Sequence, residues 1–284
     1  MTVIPHPDWP IGKHALMNLR AVRRNGRTEI DPSSWRIPYQ WQGTHYQDHD
    51  DQPFLLLINS GGGFVEGDVA ELHADLEPGT RALITTTAAS KFYKCLEKAT
   101  SREEVNLRVG DGAMLEYYPD ESIPFARSRV DRRTSIHITG TSKLFAVDML
   151  SAGRVHYGDG EVFAFDRLFS EFAVRVDGDI RFLDRIVAED EDEISALQSL
   201  WQGAHHAATI VAFAPEIPGG LEEEIEDALI DVPLISAGAS KIGNMITCRI
   251  LAVEAWQCHE GVQAVWRVLR PHIAGKAAKQ IRKC

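Results

Sequence analysis

A mainly β fold is what this 284-residue sequence predicts: one large β-rich domain of short strands, layered in a β-helix-like or sandwich-like way, with two or three α-helices in its C-terminal part. Three observations carry that expectation. Apolar residues recur with period 2 through the middle of the chain, as half-buried strands require. Gly, Asp and Pro turn signals interrupt that pattern at short intervals. Helical spacing of three and four residues enters only late. The expected layout is a single domain, 1–284, strand-rich over 1–188 and helix-containing over 189–284.

Residues 1–52 are mixed and polar, with several prolines and an acidic stretch at Gln47–Gln52, and predict a few short strands with long connections. From Phe54 the alternation begins. Ala70, Leu72, Ala74 and Leu76 fall on one face and Val69, Glu71, His73 and Asp75 on the other, before Pro78-Gly79 turns the chain. Arg81–Thr87 is β-branched and alternating. Glu103, Val105, Leu107 and Val109 then alternate with Glu104, Asn106 and Arg108 up to the turn Gly110-Asp111-Gly112. Met114–Tyr118, Arg133–Thr139 and Lys143–Leu150 continue the series. The clearest hairpin is Phe172–Val187, where Asp177-Gly178 supplies the positive φ that a tight turn needs. Strands so spaced, with no helices between them, exclude a doubly wound α/β fold.

Three helices are expected after residue 188. Glu189–Trp201 aligns Ile194, Leu197 and Trp201. Leu221–Ile230 is acidic and aligns Leu221, Ile225 and Leu229, ending near Pro233. His259–His272 carries Val262, Val265, Trp266 and Leu269, with Arg267 and Arg270 favouring its C-terminal end. The basic residues Gly275–Cys284 are expected to fray.

Thirty Lys and Arg against 41 Asp and Glu give a net charge of −11. That balance argues against nucleic acid as a partner, because such binding neutralises phosphates with basic side chains. The four cysteines (Cys95, Cys248, Cys258 and Cys284) are scattered, without the spacing of a disulfide framework. No basic region followed by an apolar core opens the chain, and the longest aliphatic or aromatic run, Phe54–Ile58, is too short for a bilayer. The expected compartment is the cytoplasm, with no membrane partner.

The search for chemistry starts at the glycine run Gly61-Gly62-Gly63 with Gly67. A phosphate-cradling loop needs Lys and Ser or Thr after its last glycine, but Asp68 stands there and repels phosphate. Tight backbone approach, with Asp68 bonding inside the turn, is the better reading. His205-His206 are adjacent, so their rings diverge. His45 and His49 sit among loop residues, and no HExxH or paired CxxC spacing exists. This argues against a tight structural zinc site and leaves open a weak, transient one. Acid runs such as Asp120-Glu121 and Glu222–Glu224 read as solvated faces. A hidden carboxylate pair of a hydrolase is invisible to sequence. Arg127, Arg129, Arg132 and Arg133 read either as cross-strand ion pairs or as a dock for an acidic partner.

Several of these segments together resemble one family. Leu57 to Asp68, Thr85 to Lys94, Gly112 to Pro119 with Ile123-Pro124-Phe125-Ala126, Gly153-Arg154 with Gly158 to Glu161, and Trp266 to Pro271 are similar, in order and spacing, to the urease accessory proteins called UreD or UreH. The likeness is good over about 50–190 and looser over 235–272. Ser60, Glu66, Thr87 and the charged Lys94–Lys98 depart from the family's usual residues. The resemblance implies a scaffold rather than an enzyme. Its implied partners are the F-type accessory protein, the nickel-carrying G-type GTPase and apo-urease. It implies no tightly bound cofactor, only transient nickel on an internal route. Candidate waypoints are Asp68, Thr85, Thr86, Thr87 and Asp148. Gly61, Gly62, Gly63, Gly67, Lys91, Arg127 and Arg154 are motif or partner candidates. The alternative is a β-rich hydrolase using a hidden carboxylate pair.

Overall fold

The computed structural model describes residues 12–48, 51–281 and 283. His49 and Cys284 lie outside them, as does the opening segment read for a leader. A hairpin comes first: β1 (His14–Arg24) and β2 (Arg27–Arg36) pair antiparallel across Asn25-Gly26, whose φ angles are 51° and 78°. A two-residue turn with positive φ at both positions matches the right-handed twist of its strands. The expectation of short strands with long connections is corrected here. Asn25-Gly26 is the local signal for the long hairpin, and the polar residues around it are its solvent face. The short β3 (Tyr39–Trp41) then pairs with β4 (Phe54–Asn59).

From β4 onward the chain passes back and forth between two sheets. Sheet A takes β5 (Val69–Leu76), β8 (Ser101–Val109), β11 (Arg129–Ile138) and β13 (Arg167–Val176). Sheet B takes β4, β6 (Arg81–Thr86), β9 (Met114–Tyr117) and β12 (Lys143–Ser151), with the small β7 (Ser90–Phe92) and β10 (Ser122–Pro124) beside them. Neighbours within each run are parallel: β5–β8–β11–β13 in one sheet, β4–β6–β9–β12 in the other. Parallel neighbours need a long crossover, usually a helix. Here each crossover includes a strand of the opposite sheet, so the chain coils, as the period-2 pattern without helices predicts. The predicted hairpin is β13 with β14 (Asp179–Ala188), at one edge of sheet A; β1 and β2 extend the other.

After α1 (Glu191–Leu200), β15 (His206–Phe213) joins β12 antiparallel. Then come α2 (Leu221–Leu229), β16 (Ser236–Ile242), β17 (Met245–Ala252) and α3 (Ala255–Ala274). Sequence periodicity places no strands between the helices, yet β15 to β17 complete sheet B. One core fills the space between the sheets, around Met17, Leu72, Leu107, Leu115, Ile136 and Phe172. A second lies between sheet B and α2 and α3, around Phe145, Ile210, Ile225, Val262 and Leu269. Sheet B is thus covered on both faces and sheet A on one.

Helix α3 starts a turn before the expected His259, where Glu254 and Gln257 form a capping box. It is fastened to sheet B through Glu116, which is fully buried. Glu116 accepts from Trp266 Nε1 at 2.7 Å, Arg270 Nε at 3.0 Å and Gln52 Nε2 at 2.7 Å. The tail does not fray as expected over residues 275–281 and Lys283. Arg270 Nη1 donates to the Ala277 carbonyl at 2.9 Å. Lys276 reaches Asp48 at 2.9 Å and Lys283 reaches Asp120 at 2.5 Å.

Candidate functional site

Period-2 alternation should leave apolar side chains between the sheets, and one row breaks that rule with charge. In sheet A, Glu103, Arg132 and Ser170 lie side by side in register on β8, β11 and β13, all facing inward. Sheet B sets Asp148, Thr209 and Arg249 side by side on β12, β15 and β17. The rows are tied across the gap. Arg132, 7% exposed, donates from Nη1 to Asp148 Oδ2 at 3.0 Å and to Ser170 Oγ at 2.9 Å, and its Nη2 also reaches Asp148. Asp184 of β14 accepts from Thr209 Oγ1 at 2.9 Å and pairs with Arg249 at 2.6 Å.

Two openings adjoin this polar row. Glu103 lines a cavity of about 100 Å³ at the glycine loop, together with Tyr39, Gly62, Gly63, Thr86, Thr87 and Lys91. Its Oε1 accepts from Ser90 Oγ at 3.2 Å and Tyr39 OH at 3.3 Å. At the far end, Asp148, Asp184, Thr209 and Arg249 line a depression of about 450 Å³ beside α1. Burial raises the Glu103 pKa above the ordinary carboxylate value despite the nearby Arg132 charge. Burial pushes the Tyr39 and Tyr117 phenols up, with the Glu103 charge adding to it. For Arg132, burial alone would lower the pKa, but pairing with Asp148 outweighs it. The row is therefore a lane of ionic and hydroxyl side chains within an apolar interior.

Of the residues singled out from sequence, the structure brings Gly62, Gly63, Thr86, Thr87 and Lys91 to the lane's first opening and Asp148 to the depression at its far end. Gly63 has φ +150°, and a Cβ there would stand 2.6 Å from the Lys91 carbonyl, so the loop's close approach demands glycine. The others lie elsewhere. Both Asp68 oxygens are taken by backbone amides, of Lys13 at 2.6 Å and Val65 at 2.9 Å, which makes it a loop staple. Gly67, at φ 77°, is the turn residue just before it, and Gly61 N donates to Asn59 Oδ1 at 3.0 Å. Thr85 is buried, with its hydroxyl on the Tyr118 carbonyl. Arg127 has φ 61°, and its backbone ties to Ala164 and Cys95. Arg154 pairs with Glu161 and stacks on Phe125 and Tyr157, so it shapes its own loop. The reading of Asp120-Glu121 as a solvated face is corrected: Asp120 holds Lys283, and Glu121 Oε2 accepts from His206 Nδ1 at 3.0 Å.

Sequence reasoning passed over Glu103, Ser170, Asp184, Thr209 and Arg249 as a group. A signal existed for several: Glu103 shares the apolar register of Val105 and Leu107, and Asp148 that of Leu144 and Ala146. Among the described residues no group of three or more His, Cys, Asp or Glu side chains is gathered to hold a metal ion. The described cysteines are free and buried. No helix among them is long and apolar enough to cross a membrane.

These features define a class: a two-sheet coil of strands with a helical outer layer and an ion-paired lane in its core. A profile of the family described as UreD urease accessory protein matches residues 13–283, and the chain belongs to that family. It is 28% identical over 278 residues to urease accessory protein UreD 2 of Brucella abortus (strain 2308), covering 95% of this chain and 91% of that one. It is 30% identical over 272 residues to urease accessory protein UreD of Klebsiella pneumoniae subsp. pneumoniae, covering 95% and 94%. The Klebsiella aerogenes protein of that name is also 30% identical, with 95% and 96% covered. Family membership places the chain in urease maturation.

Proposed function

We propose that this chain is a non-catalytic, cytoplasmic scaffold of urease maturation. It binds the F-type accessory protein and, through it, the nickel-carrying GTPase, docks on apo-urease, and conducts nickel through the lane between its sheets. The observation that carries this reading is the lane itself. Glu103 at one opening and Asp148 towards the other are held on either side of Arg132 in an otherwise apolar interior. A borderline divalent ion moves best among oxygen ligands too weak and too few to trap it. Carboxylates in low dielectric lower the cost of its charge. While the lane is empty, Arg132 balances those acids; an entering cation competes with it for them.

The hydrolase alternative fits less well. The two inner acids are separated by a guanidinium, and the cavity at Glu103 is about 100 Å³, below the size of ordinary substrate pockets. Exposed large apolar side chains, among them Trp35, Ile37, Leu96, Leu200 and Trp256, suit a protein that works in an assembly.

The test is urease activation in cells carrying the urease structural and other accessory genes. Without this gene, urease protein should accumulate lacking nickel and activity, and returning the gene should restore both. Full activity in its absence would sink the scaffold role. A Glu103→Gln variant should still co-purify with the F-type protein while nickel per urease falls severalfold; unchanged nickel loading would remove the lane from the mechanism.

A further inference from the structure

We propose that the open outer face of sheet A docks an acidic segment of a partner protein, received on a cationic row formed by Arg108, His137 and Arg175. Sheets of parallel strands are ordinarily buried on both faces. The central strands of sheet A are parallel, yet only their inner face is covered by the rest of the chain. The register sets rows of outward side chains across β5, β8, β11 and β13.

The rows differ in how their charge is settled. One runs Glu71, Glu104, Arg133, Glu171 and Arg185, and all of its charges but Glu104 are paired within the chain. Arg133 Nε meets Asp131 at 2.8 Å, Arg185 Nε meets Glu171 at 2.8 Å, and Glu71 holds His14 and His73 at 2.6 and 3.0 Å. The next row is uncharged save for His73, which stands beside Asn18, Asn106 and Ser135.

The last runs Arg20, Asp75, Arg108, His137 and Arg175. Arg20 is taken by Glu77. Asp75 flanks Arg108 without reaching ion-pair distance, and no side-chain partner of Arg108 exists among the described residues. Arg175 reaches only the Gly178 carbonyl, at 3.4 Å.

Three cationic or protonatable side chains therefore sit on adjacent strands, about 4.8 Å apart by strand spacing, on a protein of net charge −11. Chance scatter on an acidic surface does not favour that row. Burial, then Arg175 and Arg108, push the His137 pKa down. A carboxylate laid on the row relieves that repulsion. A shallow basin of about 460 Å³ adjoins it, where Asn18, Ser33, His73 and Asn106 offer hydrogen bonds beside Arg108 and His137. Acids spaced by about 5–6 Å, as at i and i+4 on a helix, fit that spacing. The matching partner is a protein segment with two or more carboxylates on one face.

The inference stands apart from the nickel lane, on the opposite face of the sheet, so its test does not depend on urease activation. Labelled hexaglutamate is titrated into the full chain at low ionic strength and followed by fluorescence anisotropy, with hexaglutamine as control. Binding to the acidic peptide alone is expected, weakening with salt, with the His137 ring titrating at higher pH in the complex by NMR. Arg108→Glu with Arg175→Glu should weaken it at least about tenfold, while Lys241→Glu on β16, at the edge of sheet B, should leave it unchanged. If the double reversal fails to fold, the Arg108→Gln and Arg175→Gln pair replaces it. Peptide affinity indifferent to either pair would overturn the proposal. So would inorganic phosphate binding as tightly as the peptide, which would mark a small-anion site. A dimer in sedimentation that dissociates on Arg108→Glu would replace the partner with a second copy of this chain.

Discussion

Glu103 concentrates the tension between stability and function in one side chain. Its carboxyl is enclosed beside two hydroxyl donors, and burial raises its pKa. An acid whose folded-state pKa is raised is penalised once it ionises. At pH below its unfolded value, near 4.5, it is neutral in both states and costs nothing. As pH rises from there through the higher folded-state value, the native protein loses stability. Glu103→Gln keeps an acceptor for both hydroxyls and removes the charge. Its melting temperature should equal the wild type's near pH 4 and exceed it at pH 7; a variant less stable than wild type at pH 7 would show that ionised Glu103 is net stabilising. Much of this residue's meaning was legible: it shares the apolar register of Val105 and Leu107, where an acid is out of place. Its neighbours were not, because Arg132 lies 29 positions on and meets it only through strand pairing, and the positions it faces across the sheets have no sequence signature.

Among the elements, α3 shows what the family-like motifs are for. Glu116 and the Trp266–Pro271 segment read from sequence as separate signatures, and the fold joins them: β9 supplies a buried carboxylate and α3 the indole and guanidinium that satisfy it. Arg270→Leu would leave the buried Glu116 carboxyl short of partners. A loss of about 3–5 kcal/mol is expected in urea unfolding, with the C-terminal tail losing its Ala277 tether as well. A loss below about 1 kcal/mol, the scale of an exposed pair, would mean that water reaches Glu116. Strongly periodic elements such as α1, α2 and β13–β14 were legible within a residue or a few. The first turn of α3 was not, because the exposed Trp256 falls outside the apolar stripe and the capping box starts earlier. Strand β15 was not legible either: Ile210 and Val211 point to different cores, so the run carries no alternation to read.

For the whole molecule, the question is whether the ties between the sheets exist for strength or for the lane. A buried ion pair is a poor source of stability, because desolvation offsets most of its attraction, and apolar replacement of both partners is often neutral or favourable. Arg132→Leu alone should destabilise the chain by about 3–5 kcal/mol, since it strands Asp148 between the sheets. Arg132→Leu with Asp148→Leu should recover most of that loss, provided the added volume fits beside Ser170. Urea unfolding of the three proteins gives the coupling between the two positions. If the pair serves only to hold the sheets in register, the double variant should also restore nickel loading of urease. On the reading given above it should fold, bind its partners and still fail to load nickel, because an apolar plug now interrupts the lane between Glu103 and Asp184. Full nickel loading by the stable double variant would return Arg132 and Asp148 to a structural role and move the search for the nickel route to the molecule's surface.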